Sequence, residues 1–125
     1  MTLDHPNIIK TYGICFGDEK HVPCILEEFC PYNLSIVVKK LTDINRVTII
    51  YELCIAMREA HSKKVIHSNW KPENILIDED YHVKLSDFGI PRLSEINGLA
   101  FKFMSPEVLN ESEKITEKAD VYSFG

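Results

Sequence analysis

Two short stretches hold most of the side chains able to do chemistry. His67-Ser68-Asn69-Trp70-Lys71-Pro72-Glu73-Asn74 crowds an imidazole, a hydroxyl, two amides, an amine and a carboxylate into one run, and Asp87-Phe88-Gly89 follows. The side-chain oxygens of Asn74 and Asp87 are hard donors. Lys71 supplies a compact positive charge. Asn69 offers something else: its amide is neutral and takes no proton at ordinary pH, although it still accepts a hydrogen bond. The histidines, His5, His21, His61, His67 and His82, show no spacing such as HxxxH, which argues against a zinc site. Cys15, Cys24, Cys30 and Cys54 form no CxxC pair and sit among apolar neighbours. They are expected to be reduced thiols in the core.

Positioning these groups falls to elements that the residue pattern outlines. Ile8 to Phe16 and Cys24 to Phe29 are rich in strand-forming residues, with the polar turn Gly17-Asp18-Glu19-Lys20 between them. Pro31-Tyr32-Asn33 breaks the second strand. A helix follows, with Asn45 as its N-cap and Val47, Ile50, Tyr51, Leu53, Cys54 and Met57 along one face. Ala60 and His61 extend that face until Ser62-Lys63-Lys64 ends it. Ile75 to Ile77 and Val83 to Leu85, around Asp78-Glu79-Asp80, form a second hairpin. Pro91 to Ser105 reads as an ordered loop, and Asp120 to Gly125 as the first turns of another helix.

At 125 residues, with no internal repeat or Gly/Ser linker, the chain is expected to form one domain with a modest core. Its net charge of −5 and scattered Lys and Arg exclude a nucleic-acid footprint or a polybasic membrane anchor. Apolar runs such as Val47 to Tyr51 are too short to span a bilayer. Met1 to His5 carries no secretory pattern, so a cytoplasmic location is expected.

In this order and context the segments resemble a protein kinase catalytic domain. His67 to Asn74 resembles the catalytic loop, Asp87-Phe88-Gly89 the metal-binding motif, and Ser105-Pro106-Glu107 the end of the activation segment. His5-Pro6-Asn7-Ile8-Ile9 resembles the link between helix C and the fourth strand. Asp120-Val121-Tyr122-Ser123-Phe124-Gly125 is similar to the tyrosine-kinase-like group. The resemblance implies an α+β, two-lobed fold present in part: residues 1–30 as an N-lobe remnant and hinge, and residues 31–125 as the start of the helical C-lobe. No GxGxxG and no Val-Ala-Ile-Lys segment occurs in the chain.

The same resemblance assigns roles. Asp87 and Asn74 would hold magnesium, and Lys71 would steady the transferring phosphate of ATP. Glu28, Phe29 and Cys30 would form the hinge against adenine, Leu76 the floor under its ring, and Glu27 the gatekeeper. Asn69 stands where the family has its aspartate base, whose assistance is typically worth about 10²- to 10⁴-fold. Ser68 replaces the arginine that pairs with a phosphorylated activation loop, and Trp70 replaces a leucine. Ala100 and Leu99 replace a threonine and a glycine. His67 would pack under Phe88, and Ser94 is the hydroxyl available for phosphorylation between Gly89 and Ser105. The expectation is a pseudokinase-like module that binds ATP and magnesium or acts as a scaffold for a protein partner. The alternatives are an active or weakly active kinase whose missing lobe was lost from a truncated gene model, and an interaction fragment that binds no nucleotide.

Overall fold

The computed structural model describes residues 3–89, 102–110 and 115–125. Strand β1 (Thr11–Cys15) pairs antiparallel with β2 (Cys24–Glu27), from Thr11 opposite Glu27 to Cys15 opposite Cys24. β1 is shorter than the pattern predicts. Ile8 and Ile9 instead lie along β5 (Val83–Leu85): the Ile9 amide donates to the Leu85 carbonyl at 3.0 Å, and the Leu85 amide to the Asn7 carbonyl at 2.9 Å. That arrangement buries both isoleucines, which an exposed hairpin could not. The hairpin loop is also longer than the four residues predicted. Asp18 Oδ1 accepts from the amides of Lys20 and His21, and Gly17 adopts a φ of 76°, where a Cβ would meet the His21 carbonyl oxygen at 2.5 Å.

The second strand ends at Glu27, before the expected break at Pro31-Tyr32-Asn33, and Tyr32–Asn33 forms strand β3 of a second sheet, in the order β3-β4-β5 with β4 at Ile75–Ile77. Both β4 and β5 bury their end residues and turn the middle one outward, so Leu76 and Lys84 face away from the core as a cross-strand pair. The Asn33 side chain caps α1 (Leu34–Val37), accepting from the Ile36 amide. A single 3₁₀ turn then leads to α2 (Asp43–Ser62).

The start of α2 corrects the expected cap. Thr42 is the N-cap, and Asn45 is the third helical residue: Thr42 Oγ1 accepts from the Asn45 amide at 3.2 Å, and Asn45 Oδ1 accepts from the Thr42 amide at 3.3 Å. The buried stripe is Ile49, Glu52, Leu53, Ala56 and Ala60, whereas Val47, Ile50, Tyr51 and Cys54 are exposed. Apolar residues ring most of this helix, so periodicity alone could not say which face meets the sheet.

The core joins that stripe to Ile77, Val83 and Leu85, with Val37, Leu41 and Trp70 around them. After Ser105, α3 (Pro106–Leu109) begins on a proline, which suits the first helical position. Helix α4 (Glu117–Phe124) closes the chain. Val121 and Tyr122 are exposed, but Phe124 is not: its ring meets Trp70 edge-on at 5.8 Å. The cysteines depart most from expectation. Cys15, Cys24 and Cys54 are exposed and Cys30 is half-buried, because among the described residues nothing covers β1, β2 and that face of α2. Leu99, Ala100, Ser94 and most of the expected Pro91–Ser105 loop lie outside the described residues. Among the described residues no helix is long and apolar enough to cross a membrane.

Candidate functional site

The segment from His67 to Asn74 has little regular structure of its own, so its main-chain groups must find partners elsewhere. Asp120, on the first turn of α4 and fully buried, supplies them. Its Oδ2 accepts from the His67 amide at 2.9 Å, its Oδ1 from the Ser68 amide at 2.8 Å, and His61 Nε2 on α2 donates to Oδ2 at 2.7 Å. Ser68 sits at a φ of 55°, in a region that costs a non-glycine residue on the order of 1–3 kcal/mol. The hydrogen bond from its amide holds it there.

His67 carries the frame across to the next segment. Its Nδ1 accepts from the Asn69 amide at 3.1 Å, so the ring proton is on Nε2, which donates to the Ser86 carbonyl at 2.8 Å. Burial pushes its pKa below the usual histidine value, against the Ser86 hydrogen bond and the charges of Asp120 and Asp87. The ring stacks at a tilt on Phe88, 4.5 Å away, and the Gly89 amide donates to the His67 carbonyl. The structural place given to His67 under Phe88 is therefore what the geometry shows.

Asn74 ends a 3₁₀ turn, Pro72–Asn74, and is buried. Its Nδ2 donates to the Asn69 carbonyl at 2.9 Å, which leaves Oδ1 as an acceptor, and its main-chain carbonyl accepts from both the amide and the hydroxyl of Ser86 at 3.0 Å. Ser86 thereby locks Asn74 beside Asp87. Asp87 is exposed at a φ of 58°, the second positive-φ residue of the site. Two hard oxygen donors on neighbouring segments fit magnesium, which keeps waters and phosphate oxygens for its remaining positions. Among the described residues no three His, Cys, Asp or Glu side chains converge as a metal cage.

Glu28 and Cys30 follow β2, and both are half-buried. The Glu28 amide donates to the Lys10 carbonyl, and its Oε1 lies 2.9 Å from Lys84 Nζ, an ion pair rather than an aligned hydrogen bond. Lys84 is the cross-strand partner of Leu76. Glu28 is thus tied to the hairpin that carries Leu76, although nothing in its local sequence announces that reach. Burial raises the Cys30 thiol pKa, with the Glu28 charge adding to it. Glu27 accepts a long hydrogen bond from Thr11 Oγ1 on the exposed hairpin.

A cavity of about 400 Å³ opens elsewhere, among Ile49, Leu53, Trp70, Pro72, Phe103 and Phe124. Lys71 reaches its wall, but Glu28, Cys30, Leu76 and Asp87 do not. The cavity is apolar, and neither Asn74 nor Asp87 lines it.

A protein kinase domain model matches residues 1–125, the whole chain. The chain belongs to the protein kinase family. It is 37% identical to an Aurora kinase of Candida glabrata over 100% of its length, 35% identical to human receptor-interacting serine/threonine-protein kinase 1 over 98%, and 34% identical to mitogen-activated protein kinase 15 of Caenorhabditis elegans over 97%. It spans well under half the length of the curated relatives it matches, from 8% to 37%. The small sheets and helices are the corresponding part of the kinase fold.

In this kinase-family chain the structure joins Asn69 to Asn74, and Asn74 to the Ser86 that precedes Asp87, while Lys84 joins Glu28 to the hairpin that carries Leu76; no such contact ties in Cys30 among the described residues. Asp120 and His61 escaped sequence reasoning as positioning residues. The one available signal was an aspartate within the motif-like closing segment, and nothing local shows that its carboxylate reaches back to residue 67.

Proposed function

We propose that this chain forms the metal-and-phosphate part of a protein kinase site that binds ATP with magnesium but transfers phosphate poorly. The observation that carries this reading is the asymmetry inside one intact frame. Asn74, held through its Nδ2 and its main-chain carbonyl, keeps Oδ1 as an acceptor, and Asp87, next in sequence to the Ser86 that holds it, exposes its carboxylate, while Asn69, at the base position, has an amide. Magnesium, when bound, would neutralise phosphate charge. Asn74 and Asp87 would hold it, Lys71 would add a positive charge, and Leu76 with the main chain of Glu28 and Cys30 would receive the adenine. Asn69 can orient a hydroxyl by accepting its hydrogen bond but cannot take its proton. With Ser68 in place of an arginine, a phosphorylated loop finds no bidentate partner at that position. The likeness of Asp120–Gly125 to the tyrosine-kinase-like group belongs to the same reading.

The test is a thermal-shift titration of the purified chain with ATP, with and without magnesium, followed by transfer assays on Asn69→Asp. A saturable, magnesium-dependent rise in Tm is expected, because a ligand stabilises the state it binds. Asn69→Asp is expected to raise transfer about 10²- to 10⁴-fold. A cooperative melt with no shift would overturn nucleotide binding and favour a scaffold that engages a protein partner. A second reading, a working kinase whose remaining parts lie outside this sequence, is favoured by the small share of each relative that the chain spans. Easily measured transfer with Asn69 unchanged would support it.

A further inference from the structure

Cys15 and Cys24 occupy facing positions in the β1–β2 register. Facing residues of an antiparallel pair share one side of the sheet, with Cα atoms roughly 4.5–5.5 Å apart. A disulfide spans Cα separations of roughly 4.4–6.8 Å. Both thiols are free and exposed, and the neighbouring Cys15 thiol raises the Cys24 pKa. Cys30 and Cys54 have no such cross-strand cysteine. We propose that Cys15 and Cys24 are a redox pair, closed into a cross-strand disulfide by exchange with a low-molecular-weight disulfide such as oxidised glutathione.

Either exposed thiol can open the exchange as its thiolate, and the thiol facing it across the strand pair resolves the mixed disulfide; beginning at Cys15, the exchange runs in two steps. The Cys15 thiolate attacks one sulfur of glutathione disulfide, forming a mixed disulfide and releasing one glutathione thiolate. Cys24 then loses its proton and attacks the Cys15 sulfur, releasing the second glutathione. Two protein thiols are oxidised and one glutathione disulfide is reduced to two thiols. An exposed bond of this kind reopens by the reverse exchange. Closure would pin the loop over residues 16–23 and fix the register of the strand that runs into Glu27 and Glu28. This proposal stands independently of nucleotide binding.

The experiment equilibrates the chain in buffers of reduced and oxidised glutathione, traps remaining thiols by alkylation, and maps the products by peptide mass spectrometry. The folded chain should give a Cys15–Cys24 link at least about tenfold more readily than the same chain in urea, since the hairpin raises the effective concentration of one thiol at the other. Cys15→Ser or Cys24→Ser should leave the remaining thiol of the pair as a stable glutathione adduct. A Cys30→Ser/Cys54→Ser double variant should close as the parent does. Separate glutathione adducts on both thiols of the parent, equal closure in urea, or a link to Cys30 or Cys54 would each overturn the proposal.

Discussion

The β1–β2 hairpin and the frame around His67 lie in the same chain and are built on opposite terms. The hairpin is local: its side-chain tie, Thr11 to Glu27, spans 16 residues and is exposed, and nearly all its strand residues face solvent. The frame is non-local and buried, with Asp120 bonded to the main chain 52 and 53 residues earlier and to His61 from 59 residues earlier. A two-stranded ribbon is marginal by itself, whereas each buried polar group of the frame must keep its partner. Placement of the buried Asn74, one of the two proposed magnesium donors, is therefore part of the core. Placement of Glu28, in the proposed hinge, rests on a thin sheet and on its ion pair with Lys84.

The sharpest way to test that contrast is Asp120→Ala, which strands the His67 and Ser68 amides in the interior. A loss of about 3–5 kcal/mol is expected, read by urea denaturation with far-UV circular dichroism. Next comes a matched pair of truncations. Leu85→Ala, at a fully buried position, is expected to cost about 2–5 kcal/mol. Ile25→Ala, on the exposed strand β2, should stay within about 0.5 kcal/mol. Equal costs would erase the distinction between the two regions.

A smaller effect separates the frame from the β4–β5 hairpin by pH. His82 Nδ1 lies 2.6 Å from Glu52 Oε1, and that bond, then the Glu52 charge, raises its pKa; Asp78 and Asp80 act in the same direction. Stability from His82 is thus fully present below the ordinary histidine value of about 6.5 and is lost as pH rises through the higher folded-state pKa. His67, whose pKa is lowered, acts in the opposite sense. The unfolded chain takes its proton first, so stability falls as pH drops below about 6.5. The two trends partly cancel in the parent. His82→Ala should steepen the acid-side loss of Tm, and an unchanged pH profile would refute the assignment. A local change is expected from Lys84→Met. It should alter global stability by no more than about 1 kcal/mol while speeding amide hydrogen exchange at Phe29 and Cys30.

What the sequence revealed, and what it hid, divides along the same line. The β4–β5 hairpin was legible because Asp78-Glu79-Asp80 separates two short apolar runs. The grouping of Asn69, Asn74 and Asp87 was legible because their motifs carry a recognisable resemblance. The cap of α2 was misplaced by three residues because Thr42 and Asn45 cap each other reciprocally, and either alone reads as an N-cap. The cysteines looked like core residues by their apolar neighbours, yet burial depends on what covers a strand, which local sequence does not encode. Asp120 is the extreme case. Its role is set by two amides more than 50 residues away, so no window along the chain contains both halves of the interaction.

That separation matters while the protein is being made. At roughly 5–20 residues per second of synthesis, a gap of 53 residues amounts to about 3–10 s. Throughout that interval the ribosome has delivered His67 and Ser68 but not the carboxylate that receives their amides. The loop bearing Asn69, Lys71 and Asn74 must wait in an unfinished state, with the Trp70 indole still lacking its Phe124 neighbour. A growing chain of this kind offers chaperones an aromatic handle that the finished one has put away.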